Sequence, residues 1–100
     1  MRKIDFKLLK TNANRQLEAI LRQLLPGGRK DGREWVSLNP TRDDRNLGSF
    51  RINLETGLWA DFATSERGGD IISLIAYLEG CRQYEAAKKL SILLGEHDEF

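Results

Sequence analysis

The chain has 100 residues, 40% of them hydrophobic, and a formal net charge of +1 at pH 7, which suits one domain spanning residues 1–100 with one core and excludes a wholly disordered chain. Its only cysteine, Cys81, excludes an internal disulfide and a cysteine cluster for zinc. The sequence has no run of about 18 apolar residues and no signal-peptide hydrophobic region at its N-terminus, so we expect a cytoplasmic protein without a membrane partner.

The first forty residues predict one helix and one strand. Apolar and polar residues alternate from Ile4 to Leu8, which allows a short strand within residues 1–10. Asn12 or Asn14 is the predicted N-cap of a helix. The apolar residues of this helix fall on one face: Leu17, Ile20, Leu21, Leu24 and Leu25. Pro26 and the glycines after it end the helix, and residues 27–33 are predicted to form a flexible basic turn.

The middle of the chain predicts a three-stranded antiparallel sheet, with strands at about residues 34–38, 49–54 and 58–62. The second strand has the clearest alternation of apolar and polar residues. The segment Glu55-Thr56-Gly57 predicts a tight turn with Gly57 at positive φ. Alternation then predicts a hairpin with an apolar face carrying Phe50, Ile52, Leu58 and Phe62. The opposite face carries Arg51, Asn53, Trp59 and Asp61.

The C-terminal part predicts two helices. Asp70 is the predicted N-cap of a helix over residues 71–79, and Gly80 ends it. A second helix is predicted over residues 84–94, followed by a polar tail that contains His97. We therefore predict an α+β domain with one helix before a three-stranded antiparallel sheet and two helices after it, stacked on one face of the sheet.

Several short motifs occur together between Trp35 and Leu94. They are Asn39-Pro40-Thr41-Arg42, Ser49-Phe50, Leu58-Trp59, Asp61-Phe62-Ala63-Thr64, Gly68-Gly69-Asp70, Leu78-Glu79-Gly80 and Glu85-Ala86-Ala87. In this order and spacing the segment resembles the N-terminal zinc-ribbon domain of bacterial and phage DNA primases. The resemblance implies a zinc-ribbon-like core at about residues 34–70, followed by helices at about residues 70–94.

The zinc-ligand positions of that family correspond here to residues other than cysteine and histidine: Asn39, Arg42, Asp61 and Thr64. The guanidinium of Arg42 has no lone pair to offer a metal, and Asp61 alone does not make a tetrahedral zinc site. We therefore expect a degenerate, metal-free ribbon without a cofactor. Arg42 and Asp61 are expected to form an ion pair, with added hydrogen bonds from Asn39 and Thr64. The alternative is that both charges are unpaired on the surface.

A set of basic and aromatic residues is the candidate nucleic-acid site: Arg33, Trp35, Arg51, Trp59 and Arg67. By alternation, Arg51 and Trp59 share the outer face of the predicted hairpin. Exposed rings between arginines suit single-stranded nucleic acid, because bases stack on the rings and phosphates contact the arginines. The alternative is that one or both tryptophans pack in the interior.

The sequence shows no nucleophile beside a base and no phosphate-binding P-loop, so we do not expect the chain itself to be an enzyme. The resemblance implies a non-catalytic module of a phage or mobile-element DNA primase or replication protein. Such a module would contact single-stranded template DNA and work with a primase catalytic domain or a replicative helicase. The alternative is a protein-interaction or structural module that lost DNA binding together with zinc, which the near-neutral charge favours.

Overall fold

The computed structural model describes residues 4–95; the predicted polar tail with His97 lies almost entirely outside them. The helices are α1 (Phe6–Asn14), α2 (Leu17–Leu24), α3 (Ile71–Glu79) and α4 (Gln83–Leu93). The strands are β1 (Arg29–Asp31), β2 (Glu34–Ser37), β3 (Phe50–Asn53), β4 (Trp59–Asp61) and β5 (Glu66–Gly68). All five strands form one antiparallel sheet in the order β1-β2-β3-β4-β5. The fold is therefore α+β.

The sheet has five strands, so the predicted three-stranded sheet with one N-terminal helix is wrong. Neither edge strand carries alternating apolar residues, so the residue pattern does not reveal them. β1, expected as a flexible turn, is exposed along its whole length, and β5, expected as a loop, is mostly exposed. Gly32, at φ 62°, begins the two-residue turn that joins β1 to β2, a position that favours glycine in hairpins.

The N-terminal segment is a helix and not the predicted strand. The side chain of Asp5 accepts a hydrogen bond from the backbone N–H of Leu8 at 3.0 Å, which caps α1. Asn12 and Asn14, the predicted caps of the next helix, lie inside α1. The residue before α2 is Gln16, whose side chain makes no capping hydrogen bond. The chain therefore starts with two short helices where one was expected.

The signals predicted for the C-terminal helices are present. Asp70 accepts a hydrogen bond from the backbone N–H of Ser73 at 2.8 Å, which caps α3 at its predicted first residue. Gly80 ends α3 in the left-handed conformation at φ 66°. Gly57, in the turn between β3 and β4, has φ 80°, as predicted. Each of these positions depends on the chemistry of one residue, which is why the sequence locates them.

One cluster of buried side chains joins the helices to one face of the sheet. Its largest sheet members are Trp35, Phe50, Ile52 and Trp59, and its helical members include Leu9, Leu21, Leu74 and Leu90. The opposite face of the sheet carries most of the exposed or half-exposed side chains of β3–β5. None of the helices within residues 4–95 has the length and hydropathy needed to cross a membrane.

The register of β4 corrects the predicted hairpin faces. Ile52 pairs with Trp59, so Trp59 points into the core, whereas Leu58 and Phe62 are 55% and 73% exposed. A tight turn over residues 55–57 would instead place Leu54 opposite Leu58. The observed pairing differs from that arrangement by one residue, and a one-residue slip moves every side chain of a strand to the other face.

Candidate nucleic-acid interface and polar clamp

The four residues that the resemblance placed at zinc-ligand positions lie together around Asp61. We call this set, Asn39, Arg42, Asp61 and Thr64, the polar clamp. Nε of Arg42 donates to Oδ2 of Asp61 at 2.7 Å, and Nη2 donates to Oδ1 at 3.2 Å. The side chain of Asp61 is fully buried, while that of Arg42 is 27% exposed. The predicted ion pair is therefore confirmed, in a more buried setting than a surface pair.

The other members of the clamp also contact Asp61. Nδ2 of Asn39 donates to Oδ2 of Asp61 and to the hydroxyl of Tyr77, each at 2.8 Å. The backbone N–H of Ala63 donates to Oδ1 of Asp61 at 2.9 Å. Thr64 takes part through its backbone N–H, which donates to the carbonyl of Asp61 at 3.1 Å. The clamp thus ties the β2–β3 loop to the end of β4 and, through Tyr77, to α3.

These contacts set the charge state of the clamp. The guanidinium of Arg42 holds the pKa of the Asp61 carboxyl well below its usual range, and the donors from Asn39 and Ala63 act in the same direction. Burial of Asp61 opposes this shift without reversing it. The same hydrogen bond to Asp61 raises the pKa of Arg42. Both groups are therefore charged at neutral pH.

The donor set of the clamp does not fit a zinc ion. Within residues 4–95, no three His, Cys, Asp or Glu side chains lie together in a way that could hold a metal. The clamp offers one carboxylate, and the guanidinium of Arg42 already occupies both of its oxygens. Arginine supplies the positive charge here and has no lone pair for a metal.

Both tryptophans of the candidate site are buried, so the predicted outer position of Trp59 is wrong. Trp35 is 1% exposed, and its indole N–H donates to the carbonyl of Leu25 at 3.2 Å. Trp59 is 5% exposed, its indole N–H donates to Oγ of Ser73 at 3.0 Å, and its ring centroid lies 4.9 Å from that of Tyr77. In this conformation neither ring is free to stack on a base.

The three predicted arginines differ in how far their charges are paired. Nη1 of Arg51 lies 3.1 Å from Asp31 and 3.0 Å from Glu34, and these hydrogen bonds raise its pKa. Arg33 is highly exposed and lies 3.7 Å from Glu55. Arg67 is exposed and, among the residues that the structure describes, no ion pair or hydrogen bond engages its side chain. Arg67 is therefore the arginine of the three that is available to an external anion.

The structure brings Arg51 and Arg67 together on the surface that faces away from the helices. We call this surface the outer sheet face. Its exposed or half-exposed members include basic and apolar residues, Arg29, Arg51, Leu58, Ala60, Phe62 and Arg67, and also the polar residues Asp31, Glu34 and Asn53. The pairing runs from Arg29 to Val36, Arg51, Ala60 and Arg67 across the five strands, and paired residues share a face. Arg29 and Phe62 were missed as site residues, because β1 was expected to be a turn and only the correct register of β4 places Phe62 on this face.

Two grooves border Phe62 on the outer sheet face. One, of about 280 Å³, is lined in part by Arg51, Leu58, Ala60, Phe62 and Arg67. The other, of about 390 Å³, shares Ala60, Phe62 and Arg67 with the first. The exposed ring of Phe62 therefore stands between two grooves, with the side chain of Arg67 along both. Arg33 and Trp35 do not line either groove.

Comparison with known proteins finds no protein-family model that matches the chain and no curated protein with a significant sequence match. The likeness to the primase zinc ribbon therefore depends on the motifs within this chain.

Proposed function

We propose that the chain is a non-catalytic module that binds single-stranded DNA through its outer sheet face. The observation that carries this proposal is that an exposed aromatic ring, Phe62, and an available cation, Arg67, line the same grooves. Phe62 is 73% exposed, and Arg67 lines the same grooves without an ion-pair partner among residues 4–95. A base stacked on an aromatic side chain contributes about 1–3 kcal/mol, and an arginine beside it contacts the phosphate.

The row of arginines supports the same function. Arg29 and Arg67 lie on the two edge strands, with Arg51 between them. Four inter-strand spacings of about 4.8 Å separate the edge strands by about 19 Å. The two carboxylates of Asp31 and Glu34 more than offset the single charge of Arg51, so the phosphate contacts fall on the two edges. We expect modest affinity that weakens as salt increases.

The resemblance to the primase zinc ribbon gives this activity a context. We propose that the module contacts template DNA within a cytoplasmic phage or mobile-element replication system, together with a primase catalytic domain or a replicative helicase. The burial of Trp35 and Trp59 transfers the proposed stacking to Phe62. The polar clamp contributes indirectly, because Asp61 directly precedes Phe62 and is held by Arg42.

A second candidate function is docking of a protein partner on the same face. The observation that favours it is the presence of two exposed apolar side chains on this face, Leu58 at 55% and Phe62 at 73%. Exposed apolar surface beside polar groups is typical of interaction sites. Absence of DNA binding would favour this alternative.

The test is a fluorescence anisotropy titration of a labelled oligothymidylate of about 15 nucleotides with the full chain, at low and high salt. Phe62→Ala should weaken binding by about 5-fold or more, because one stacked base is lost. Arg67→Ala should weaken binding and lower its salt dependence. Matched controls are Leu8→Ala on α1 and Arg45→Ala in the β2–β3 loop, both of which remove exposed side chains that do not line either groove. Absence of binding by the unmodified chain at low salt would overturn the proposal.

A further inference from the structure

The groove of about 280 Å³ on the outer sheet face is open at its centre because the residue there, Ala60, has a small side chain. Leu58, Ala60 and Phe62 lie on one face of the β4 segment, where alternate residues are about 6.8 Å apart. The alanine leaves a depression between two large apolar side chains. Its volume of about 280 Å³ is just below the range of about 300–1,000 Å³ that is typical for drug-sized ligands. A planar group of the size of one nucleobase suits this space.

One side of the groove carries a positive charge that can meet a phosphate, whereas Arg51 on the other side is already paired with Asp31 and Glu34. Ala60 pairs with Arg51 on β3 and with Arg67 on β5, so a cationic side chain lies on each flank. Arg51 is fixed by Glu34 and by the carbonyl of Gly48, to which its Nε donates at 2.8 Å. Arg67 has no such restraint within the described part of the chain. One flank is therefore rigid, while the other can adjust to a phosphate.

We propose that this groove is a binding site for one unpaired nucleobase, which stacks on Phe62 above Ala60 while Arg67 contacts the adjoining phosphate. This inference rests on the proposed DNA-binding function and identifies Ala60 as the residue that admits the base. A base inside a duplex has both faces covered by its neighbours, so it cannot enter the groove. The site thus selects single strands by shape, without reading a base sequence.

The test compares three labelled probes in anisotropy titrations of the full chain: an oligothymidylate, an abasic oligonucleotide of the same length, and the oligothymidylate paired with its complement. The abasic probe keeps the phosphates but offers no base. We expect the unmodified chain to bind the oligothymidylate at least about 5-fold more tightly than either of the other probes, which corresponds to one stacked base. This comparison needs no variant, so it does not depend on how a substitution affects folding.

The variant Ala60→Leu should fill the groove and reduce oligothymidylate binding to the level of the abasic probe. Ala60 points away from the core, so its thermal unfolding should stay close to that of the unmodified chain. Ala19→Leu, at an exposed position of α2, adds the same side chain elsewhere and should bind normally.

Equal binding of the oligothymidylate and the abasic probe would overturn the base site and leave DNA binding intact. Absence of binding to every probe would overturn both proposals, and normal binding by a folded Ala60→Leu would overturn the role of Ala60.

Discussion

The guanidinium of Arg42 donates to both carboxylate oxygens of Asp61, at 2.7 and 3.2 Å, and so joins the β2–β3 loop to the end of β4. A two-point contact of this kind fixes orientation as well as distance. The carboxylate is fully buried, and a buried charge without partners is unfavourable. The polar clamp is therefore an interdependent unit, in which Asp61 relies on donors from Arg42, Asn39 and Ala63.

A double-mutant cycle should show this dependence. We expect Arg42→Ala to lower the unfolding temperature by roughly 10 °C or more, because the buried carboxylate of Asp61 loses two of its donors. The double variant Arg42→Ala/Asp61→Ala should be less destabilised than the sum of the single variants. Thermal unfolding followed by circular dichroism measures both effects. The matched control is Arg45→Ala, whose pair with Asp43 is highly exposed and should contribute little. If the destabilisation of the double variant equals the sum of the two single effects, Arg42 and Asp61 are not energetically coupled and the prediction is wrong.

The stability contributed by Asp61 should depend on pH. Its pKa in the folded chain is lowered by Arg42, whereas an aspartate in the unfolded chain titrates near about 3.9. The ionised carboxylate therefore stabilises the fold fully above about pH 4, and this contribution is lost as the pH falls below that value. Asp61→Asn has no such group to titrate. We expect the difference in unfolding free energy between the two proteins, measured by urea denaturation, to be constant between neutral and mildly acidic pH and to shrink below about pH 4. A difference that stays constant throughout would argue against a depressed pKa.

The glycine at the end of β5 should be sensitive to substitution. A methyl group added at Gly68 would collide with the indole of Trp59 and the hydroxyl of Ser73, whereas one added at Gly69 would meet open space. We expect Gly68→Ala to destabilise the fold by about 1–3 kcal/mol, as overpacking usually does. The neighbouring Gly69→Ala should be nearly neutral. Urea denaturation of both variants measures this, and equal effects would contradict the observed position of Trp59 behind β5.

Local signals in the sequence were sufficient for the features that depend on one or two residues. The capping role of Asp70 and the left-handed end of α3 at Gly80 follow from residue chemistry. The contact between Arg42 and Asp61 was predicted from their positions in the zinc-ribbon pattern, and the structure contains it. The two helix ends need no knowledge of how the strands pair, whereas the contact between Arg42 and Asp61 was predicted through the resemblance.

Which side chains of β4 point to the core is decided by hydrogen bonds in the turn between β3 and β4. The side chain of Asn53 accepts hydrogen bonds from the backbone N–H groups of Glu55 and Thr56, and the N–H of Leu54 donates to the carbonyl of Arg33. Leu54 is thereby directed to the β1–β2 turn and does not pair with Leu58. Such a long-range contact leaves no trace in the alternation of residues. For this reason alternation predicted Trp59 on the outer sheet face, where Phe62 lies instead.

The buried pair of Arg42 and Asp61 also restricts how the sequence can change over evolutionary time. Replacing Arg42 alone leaves the buried carboxylate of Asp61 without its counter-charge, which is usually strongly destabilising. Replacing Asp61 alone removes the main partner of Arg42, whose guanidinium is partly exposed and keeps Asp44 nearby. Replacing both together with well-packed apolar residues is often neutral. We therefore expect that, in descendants of this sequence, the two positions change as a pair and rarely one at a time.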